Sequence, residues 1–474
     1  MQNVPLSIKN ALSTQTFLEV RSPYDQTLLA TVEKADRAAL EQALLNAHNS
    51  YEEIMRTMPA WKRAEILYKV ADQIKEHHEE LSMTIAQEGG KPLKDARVEV
   101  TRAGNTVRMS GNEALQMNGE TLTMDRAAGT ENHMALSIRQ GIGPVLAISA
   151  FNHPVNLICH QVATAFAAGN SVIVKPASQT PLSALRIVDF FYKAGLPREV
   201  MSVAIVSGKD TEYLVQDARI KFITFIGSGA VGWDIEKKKH AGTRLSLEHG
   251  GTGTAIVTER ADIEKVIPSI VRGGFYHAGQ VCVSTQNVYV HTSLYHEVLG
   301  RLIESASLLK VGPATEDTTD IGPIINSKEK DRILSHINEA VSMGAQIALG
   351  GKETGATTIG ATILTDTTMD MSVMKSEIFG PVISVVSYSN IDEVIKTMNA
   401  TPFSFQAAIY TQDINVALSN AKKIDASSVM VNDSTAFRVD WMPFGGGKES
   451  GLGMGGIKNS IHEMSVEKMI VVKL

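Results

Sequence analysis

Short apolar runs alternate with helix-like stretches along the first half of this chain, and that rhythm restricts the fold more than any single motif. "PVLAIS" (Pro144 to Ser149), "SVIVK" (Ser171 to Lys175), "IKFITFI" (Ile220 to Ile226) and "TRLSLE" (Thr243 to Glu248) read as short buried strands. Between the first two, Val155 to Ala168 has helical character. Strands separated by helices build a parallel sheet covered by helices, because a parallel pair needs a long crossover connection. Upstream, Ile66, Leu67, Val70 and Ile74 fall at helical spacing within Pro59 to Glu79. Gly89-Gly90-Lys91-Pro92 then marks a turn, and a further helix is predicted from Leu93 to about Leu115. The alternation restarts beyond Glu259, which predicts a second lobe with a boundary near residue 250. A chain of 474 residues exceeds what one core usually supports, so two lobes are expected on size as well.

Composition excludes several classes of function. A hydrophobic fraction of 43% and a charged fraction of 20% are those of an ordinary globular protein. A formal net charge of -6 gives no electrostatic reason to expect nucleic acid or an anionic membrane as partner. The opening MQNVPLSIKN lacks the blocks of a signal peptide, and no apolar run is long enough to span a bilayer, so a cytoplasmic location is expected. The two cysteines, Cys159 and Cys282, make no disulfide framework and have no zinc-ligand spacing, so no metal is expected. Cys159 lies in the apolar "NLICHQVA" and reads as a packed core residue.

Two stretches carry chemistry. "GSGAVG" sets Gly227, Gly229 and Gly232 in a GxGxxG pattern after a strand, where backbone amides at a helix start can hold a pyrophosphate. Glu248 stands 21 residues beyond Gly227, the spacing of a ribose-binding acid in a Rossmann unit. "GGFYHAGQVCVST" places Cys282 after a glycine-containing turn, where it is either a small buried side chain or a nucleophile.

Further segments decide between these readings. "FNHP" (Phe151 to Pro154), "KPASQTP" (Lys175 to Pro181), "GSGAVG", "EHGG" from Glu248, "GQVC" to Cys282, "EIFGP" (Glu377 to Pro381) and "PFGGGKESGLG" (Pro443 to Gly453) occur in that order. In order and approximate spacing the chain resembles the aldehyde dehydrogenase superfamily over nearly its whole length. The resemblance implies an α/β fold: a Rossmann-like dinucleotide-binding domain (1–120 and 140–249), a second α/β catalytic domain (250–447) and a small β oligomerisation extension (121–139 and 458–474). A homodimer or homotetramer follows from that extension.

The resemblance reassigns Glu248 from ribose ligand to general base, with Cys282 as covalent nucleophile and Asn152 as oxyanion donor. It implies cofactor contacts from Lys175, Ser178, Gly227, Ser228, Glu377 and Phe379. Ser178 stands where many NAD-preferring relatives carry Glu, so NADP is favoured over NAD. Basic or polar residues in the regions implied to line the substrate tunnel, His153, His160, Arg102, Arg108 and Arg438, suit a small polar or anionic aldehyde. Succinate semialdehyde, lactaldehyde and glyceraldehyde 3-phosphate are of this kind. Arg102 and Arg108 are about 600° apart on a straight helix, so at most one reaches the tunnel.

Three positions depart from the family pattern. His249 replaces a usual Leu, which could alter packing or couple a second titrating group to Glu248; Asn287 replaces a common Arg, and Gly455 replaces a common Glu, which could loosen its loop. A CoA-acylating relative typically lacks the base, and a noncatalytic one is expected to have lost the nucleophile or the oxyanion donor. Glu248, Cys282 and Asn152 are all present.

Overall fold

A computed structural model describes residues 2–474. The first sheet runs Gly451–Leu452, Arg244–Glu248, Phe222–Ile226, Val145–Ile148, Val172–Lys175, Met201–Val203, parallel except for its first, antiparallel edge strand. Val145–Ile148 and Val172–Lys175 read as unbroken apolar runs because the sheet is covered on both faces. Val145, Ala147, Val172 and Val174 point into one core, and Leu146, Ile148 and Ile173 into another, as the two-residue period of a strand requires. Helix Asn156–Ala168 packs inside the first of these cores and is buried along its whole length, which is why most of its sequence is apolar.

The second sheet begins with Gly253–Val257 and runs in the order Gln346–Leu349, Thr362–Thr365, Val382–Tyr388, Thr285–His291, Gly253–Val257, Gln406–Tyr410, Ser428–Val431. It has its own core around Ile256, Val288, Val290, Ile383 and Ile409. A third sheet pairs Ser465–Lys473 with His133–Gly141, which also pairs with Thr121–Leu122.

The strands expected from the apolar runs are present within one or two residues, as is helix Leu93–Ala114. The helix expected over Pro59 to Glu79 differs. It is two helices, Ala60–Glu76 and His78–Gly89, because His77 leaves helical backbone (φ -97°, ψ 27°) and the second helix runs on to a left-handed Gly90. No helix among the described residues is long and apolar enough to cross a membrane.

Candidate active site

In the first sheet the order of strands reverses between Val145–Ile148 and Phe222–Ile226, and ligands of such sheets bind beyond the carboxyl ends at that point. Ser149 to Asn152 follow one of these strands, and Gly227 and Ser228 follow the other. Glu248 ends the next strand along. The second sheet meets this crevice with its amino ends: Cys282 precedes Thr285–His291, and Glu377 and Phe379 precede Val382–Tyr388. All line one cavity of about 750 Å³.

The turn before Cys282 holds three successive left-handed residues, His277 (φ 51°), Ala278 (φ 53°) and Gly279 (φ 67°). For the two non-glycine residues this conformation is strained and persists only where the surroundings enforce it. Gln280 supplies that enforcement: its Nε2 donates to the Pro323 carbonyl at 3.1 Å and its Oε1 accepts from the Ile325 N–H at 2.9 Å. Asn152, buried, donates from Nδ2 to the Gln280 carbonyl at 3.0 Å, which aims its amide at the cysteine turn. The Cys282 thiol is half-buried at the cavity wall. Burial pushes its pKa well up, the Glu248 carboxylate adds to this, and Arg438 opposes it.

Glu248 is half-buried, and its Oε1 has no hydrogen-bond partner. Burial raises its pKa, opposed by the Arg438 guanidinium 3.9 Å away. Arg438 Cζ sits over the Phe444 ring, 3.5 Å from its centroid, and its buried Nε is also unpartnered. Arg102 opens on the same cavity but is anchored: Nε and Nη2 donate to the two carboxylate oxygens of buried Asp440 at 3.0 and 2.8 Å. Asp440 also accepts from Asn156 Nδ2 at 3.0 Å and contacts His160 Nε2 at 2.9 Å. Those contacts hold its pKa well below the carboxylate range, while burial holds His160 down to about 4.

The other half of the cavity has a different character. Lys175 ends its strand with no ion pair among the described residues, and burial lowers its pKa. Ser178 beside it is an exposed hydroxyl. Ser228 caps helix Gly229–Lys238 without using its side chain, while Val215, Val231 and Ile235 line an apolar wall. Glu377 has an orphaned, buried Oε1, and burial pushes its pKa up to about 8. Phe379, itself left-handed (φ 52°), meets Phe151 edge to face at 5.8 Å. A free lysine, a helix N-terminus, an orphaned acceptor and apolar walls fit the hydroxyls, pyrophosphate and rings of a nicotinamide dinucleotide.

Residues 10–470 match the aldehyde dehydrogenase family. The chain belongs to that family. This aldehyde dehydrogenase is 39% identical over 464 residues to the 3-sulfolactaldehyde dehydrogenase of Priestia aryabhattai, covering 98% of this chain and 96% of the relative. Among solved structures it matches aldehyde dehydrogenase 21 of Physcomitrella patens, in complex with the reaction product succinate, with a TM-score of 0.96 and 34% identity, covering 100% of this chain and 98% of the other. It also matches the NADP-dependent glyceraldehyde-3-phosphate dehydrogenase of Bacillus halodurans, complexed with NADP, with a TM-score of 0.96 and 33% identity, covering 100% of both chains. It is therefore an NAD(P)-dependent oxidoreductase acting on the aldehyde group.

The cavity gathers most of the residues singled out from this aldehyde dehydrogenase's sequence, and it corrects others. Cys282, Glu248, Asn152, Lys175, Ser178, Gly227, Ser228, Glu377, Phe379, His153, Arg102 and Arg438 line it. Arg108 does not: it pairs with exposed Asp72 and stacks on Tyr68, on the outer face of its helix. His160 is likewise outside the lining and acts on Arg102 through Asp440. Asn287 donates to the Met374 carbonyl at 3.0 Å inside the second sheet, too deep to meet a substrate anion. His249 makes no hydrogen bond to the base among the described residues. Burial lowers its pKa, Nδ1 meets the Glu449 carbonyl at 2.9 Å, and the ring packs edge-on against Phe225 and Trp233. The loop at Gly455 is not loosened: Gly455 and Phe444 exchange two backbone hydrogen bonds, at 2.7 and 3.1 Å. A Cβ there would lie 2.6 Å from the Phe444 carbonyl oxygen, so this approach excludes a side chain.

Sequence reasoning missed Asp440, Tyr276 and Arg332. Tyr276, whose hydroxyl meets His153 Nε2 at 3.0 Å, lies within the cysteine segment itself, and Asp440 lies two residues beyond Arg438. Arg332, which lines the cavity and donates to the Ile378 carbonyl at 2.7 Å, carries no motif signal.

Proposed function

We propose that this aldehyde dehydrogenase oxidises a small aldehyde bearing a carboxylate, sulfonate or phosphate to its acid, and favours NADP over NAD. The observation that carries the substrate class is the pair of guanidiniums, Arg102 and Arg438, opening on the same cavity as Cys282. Arg102 has Nη1 uncommitted, and Arg438 makes no hydrogen bond among the described residues. Arginine donors left over in a partly desolvated pocket are suited to a tetrahedral or planar anion. The relative named for 3-sulfolactaldehyde and the neighbour holding succinate support the same class. The preference for NADP rests on Lys175 beside a neutral Ser178, where no carboxylate repels a 2′-phosphate, and is supported by the neighbour complexed with NADP.

In this reading Cys282 Sγ adds to the aldehyde carbon and gives a thiohemiacetal. The Asn152 amide and the Cys282 backbone N–H hold the developing oxyanion. Lys175 and Ser178 would hold the adenosine ribose, Gly227, Ser228 and the helix start would hold the pyrophosphate, and Glu377 and Phe379 would hold and flank the nicotinamide ribose. When bound, the nicotinamide supplies the acceptor for the hydride that leaves the thiohemiacetal carbon. Glu248 then takes a proton from water, which attacks the thioester on Cys282, releases the acid and regenerates the thiol. His153, held neutral by burial and tied to Tyr276, forms a polar wall for the substrate.

The remaining assignments belong to the same proposal. Residues 1–120 and 140–249 bind the dinucleotide, 250–447 carry the nucleophile, and 121–139 with 458–474 join subunits into a homodimer or homotetramer in the cytoplasm. Exposed Met469, Ile470, Val471 and Val472 on strand Ser465–Lys473 support that association, since such an apolar edge invites a partner.

Absorbance at 340 nm with anionic and uncharged aldehydes, each with NADP and NAD, tests this reading on wild type, Cys282→Ala and Arg438→Gln. Reduction of NADP by an anionic aldehyde, abolished in the first variant and raised in KM at least about tenfold in the second, is the expected result. Activity confined to uncharged aldehydes contradicts the anionic substrate, and activity in Cys282→Ala contradicts the mechanism. Inactivity of the wild type favours the noncatalytic reading, and turnover only with an added thiol, giving a thioester in place of the acid, the acylating one.

A further inference from the structure

Two half-buried side chains in the cavity each carry a buried polar atom that lacks the hydrogen bond its chemistry calls for, and they face each other. Glu248 Oε1 has no partner, Arg438 Nε has none, and Arg438 Nη1 stands 3.9 Å from Glu248 Oε1, beyond hydrogen-bond reach but within strong Coulomb contact. Among the described residues Arg438 is the one cation within ion-pair distance of Glu248. Its guanidinium is seated on the Phe444 face and not clamped by a carboxylate, unlike that of Arg102 on Asp440.

We propose that Arg438 is shared between Glu248 and the anionic group of the substrate, so that anion binding withdraws the counter-charge from the base and is coupled to proton uptake on it. This deepens the anionic-substrate reading and rests on it. The guanidinium is a neutralising neighbour for Glu248 in the free enzyme. Once an anion takes the guanidinium, Glu248 holds its proton more tightly: its ionised form is a stronger base for the water that attacks the thioester, and a smaller share of it is ionised at a given pH. Anionic substrates thereby tune the step that releases them, and uncharged ones do not.

Other titratable and charged groups line the same cavity as Glu248. Cys282 comes from the turn, Glu377 from the second sheet, Arg102 from helix Leu93–Ala114, His153 from the Asn152 loop, and His249 from its own strand end; Asp440 stands behind Arg102. Burial holds His153 and His249 below the ordinary histidine value, and the Cys282 thiol is pushed well up. Glu377, at about 8, does titrate near neutrality, so a variant of Glu248 itself must separate the two carboxyls.

Linkage supplies the test. Calorimetric titration with 3-hydroxypropane-1-sulfonate, a strong-acid anion that does not itself titrate, is run from just above the ordinary carboxyl value of 4.5 up to pH 8, at each pH in two buffers that both hold that pH. Their different ionisation enthalpies report protons exchanged on binding. Uptake reaching about half a proton per site at its maximum corresponds to a one-unit rise in the base's pKa and is the expected result in wild type. Uptake vanishes in Glu248→Gln with binding retained; in Arg438→Gln binding weakens at least tenfold, and Arg438→Lys restores part of both. Binding in wild type without proton exchange, or uptake that persists in Glu248→Gln, overturns the coupling and leaves the anionic-substrate reading standing. Absence of binding overturns that reading, and the coupling with it.

Discussion

Asp440→Asn isolates the anchor of the substrate-facing arginine. Arg102 donates two charge-assisted hydrogen bonds to Asp440, at 3.0 and 2.8 Å, each worth about 1.5–3 kcal/mol. An asparagine with its carbonyl kept at Oδ1 preserves the contacts of Asn156, His160 and Arg102 Nη2, and turns N–H against Arg102 Nε. One charge-assisted bond is lost and a donor meets a donor. Breaking a buried pair costs about 3–5 kcal/mol, and the quarter-exposed Arg102 side chain keeps this case near 3 kcal/mol. For an unfolding unit of 150–250 residues that corresponds to a fall in Tm of about 6–12 °C.

The sign of the pH dependence follows from Asp440. Its folded-state pKa lies below the unfolded value, so the stabilisation is fully present above about pH 4 and is lost as pH falls through the folded value. The difference in Tm between wild type and variant is therefore constant from pH 5 to 8 in scanning calorimetry. Paired kinetics show a raised KM for an anionic aldehyde and little change for an uncharged one of equal length. A Tm within 1 °C of wild type, with an unchanged ratio of the two KM values, refutes the anchoring role.

Ser178→Glu places a carboxylate beside Lys175 in the cofactor half of the cavity, and shifts kcat/KM toward NAD by at least about tenfold, read from initial rates with each cofactor. Arg108→Ala removes an exposed pair with Asp72 and costs no more than about 1 kcal/mol, with KM for anionic aldehydes unchanged, as calorimetry and initial rates will show. Hydrolysis of the acyl-enzyme, followed by acid release in single turnover, slows as pH falls through a value above the ordinary carboxyl value of 4.5, because burial raises Glu248 and the base acts only when ionised.

The sequence carried the parts of this protein that depend on local pattern. Buried strands such as Val145–Ile148 are legible because a sheet covered on both faces needs unbroken apolar runs. Strands Phe17–Arg21 and Leu28–Glu33 are not, because they form the mostly exposed edge and the partly buried centre of a small three-stranded sheet and mix polar and apolar residues without a clear period. The chemical residues stood out because turns and strand ends impose short motifs around them. Asp440 escaped because its meaning lies in Arg102, 338 residues earlier, and nothing local marks that pairing. The same long-range packing separates Arg102 from Arg108. Helical geometry excluded both reaching the tunnel, but only the burial of one face against the C-terminal segment decides which.

The account turns on a covalent acyl group passing from Cys282 to water through Glu248. Glu248→Gln, mixed with an anionic aldehyde and NADP and quenched in acid, is read by intact-protein and peptide mass spectrometry. The account predicts one burst equivalent of reduced cofactor and an acyl adduct accumulating on the peptide that contains Cys282. Steady turnover of the variant at the wild-type rate, or an adduct on Cys159 with Cys282 unmodified, contradicts it.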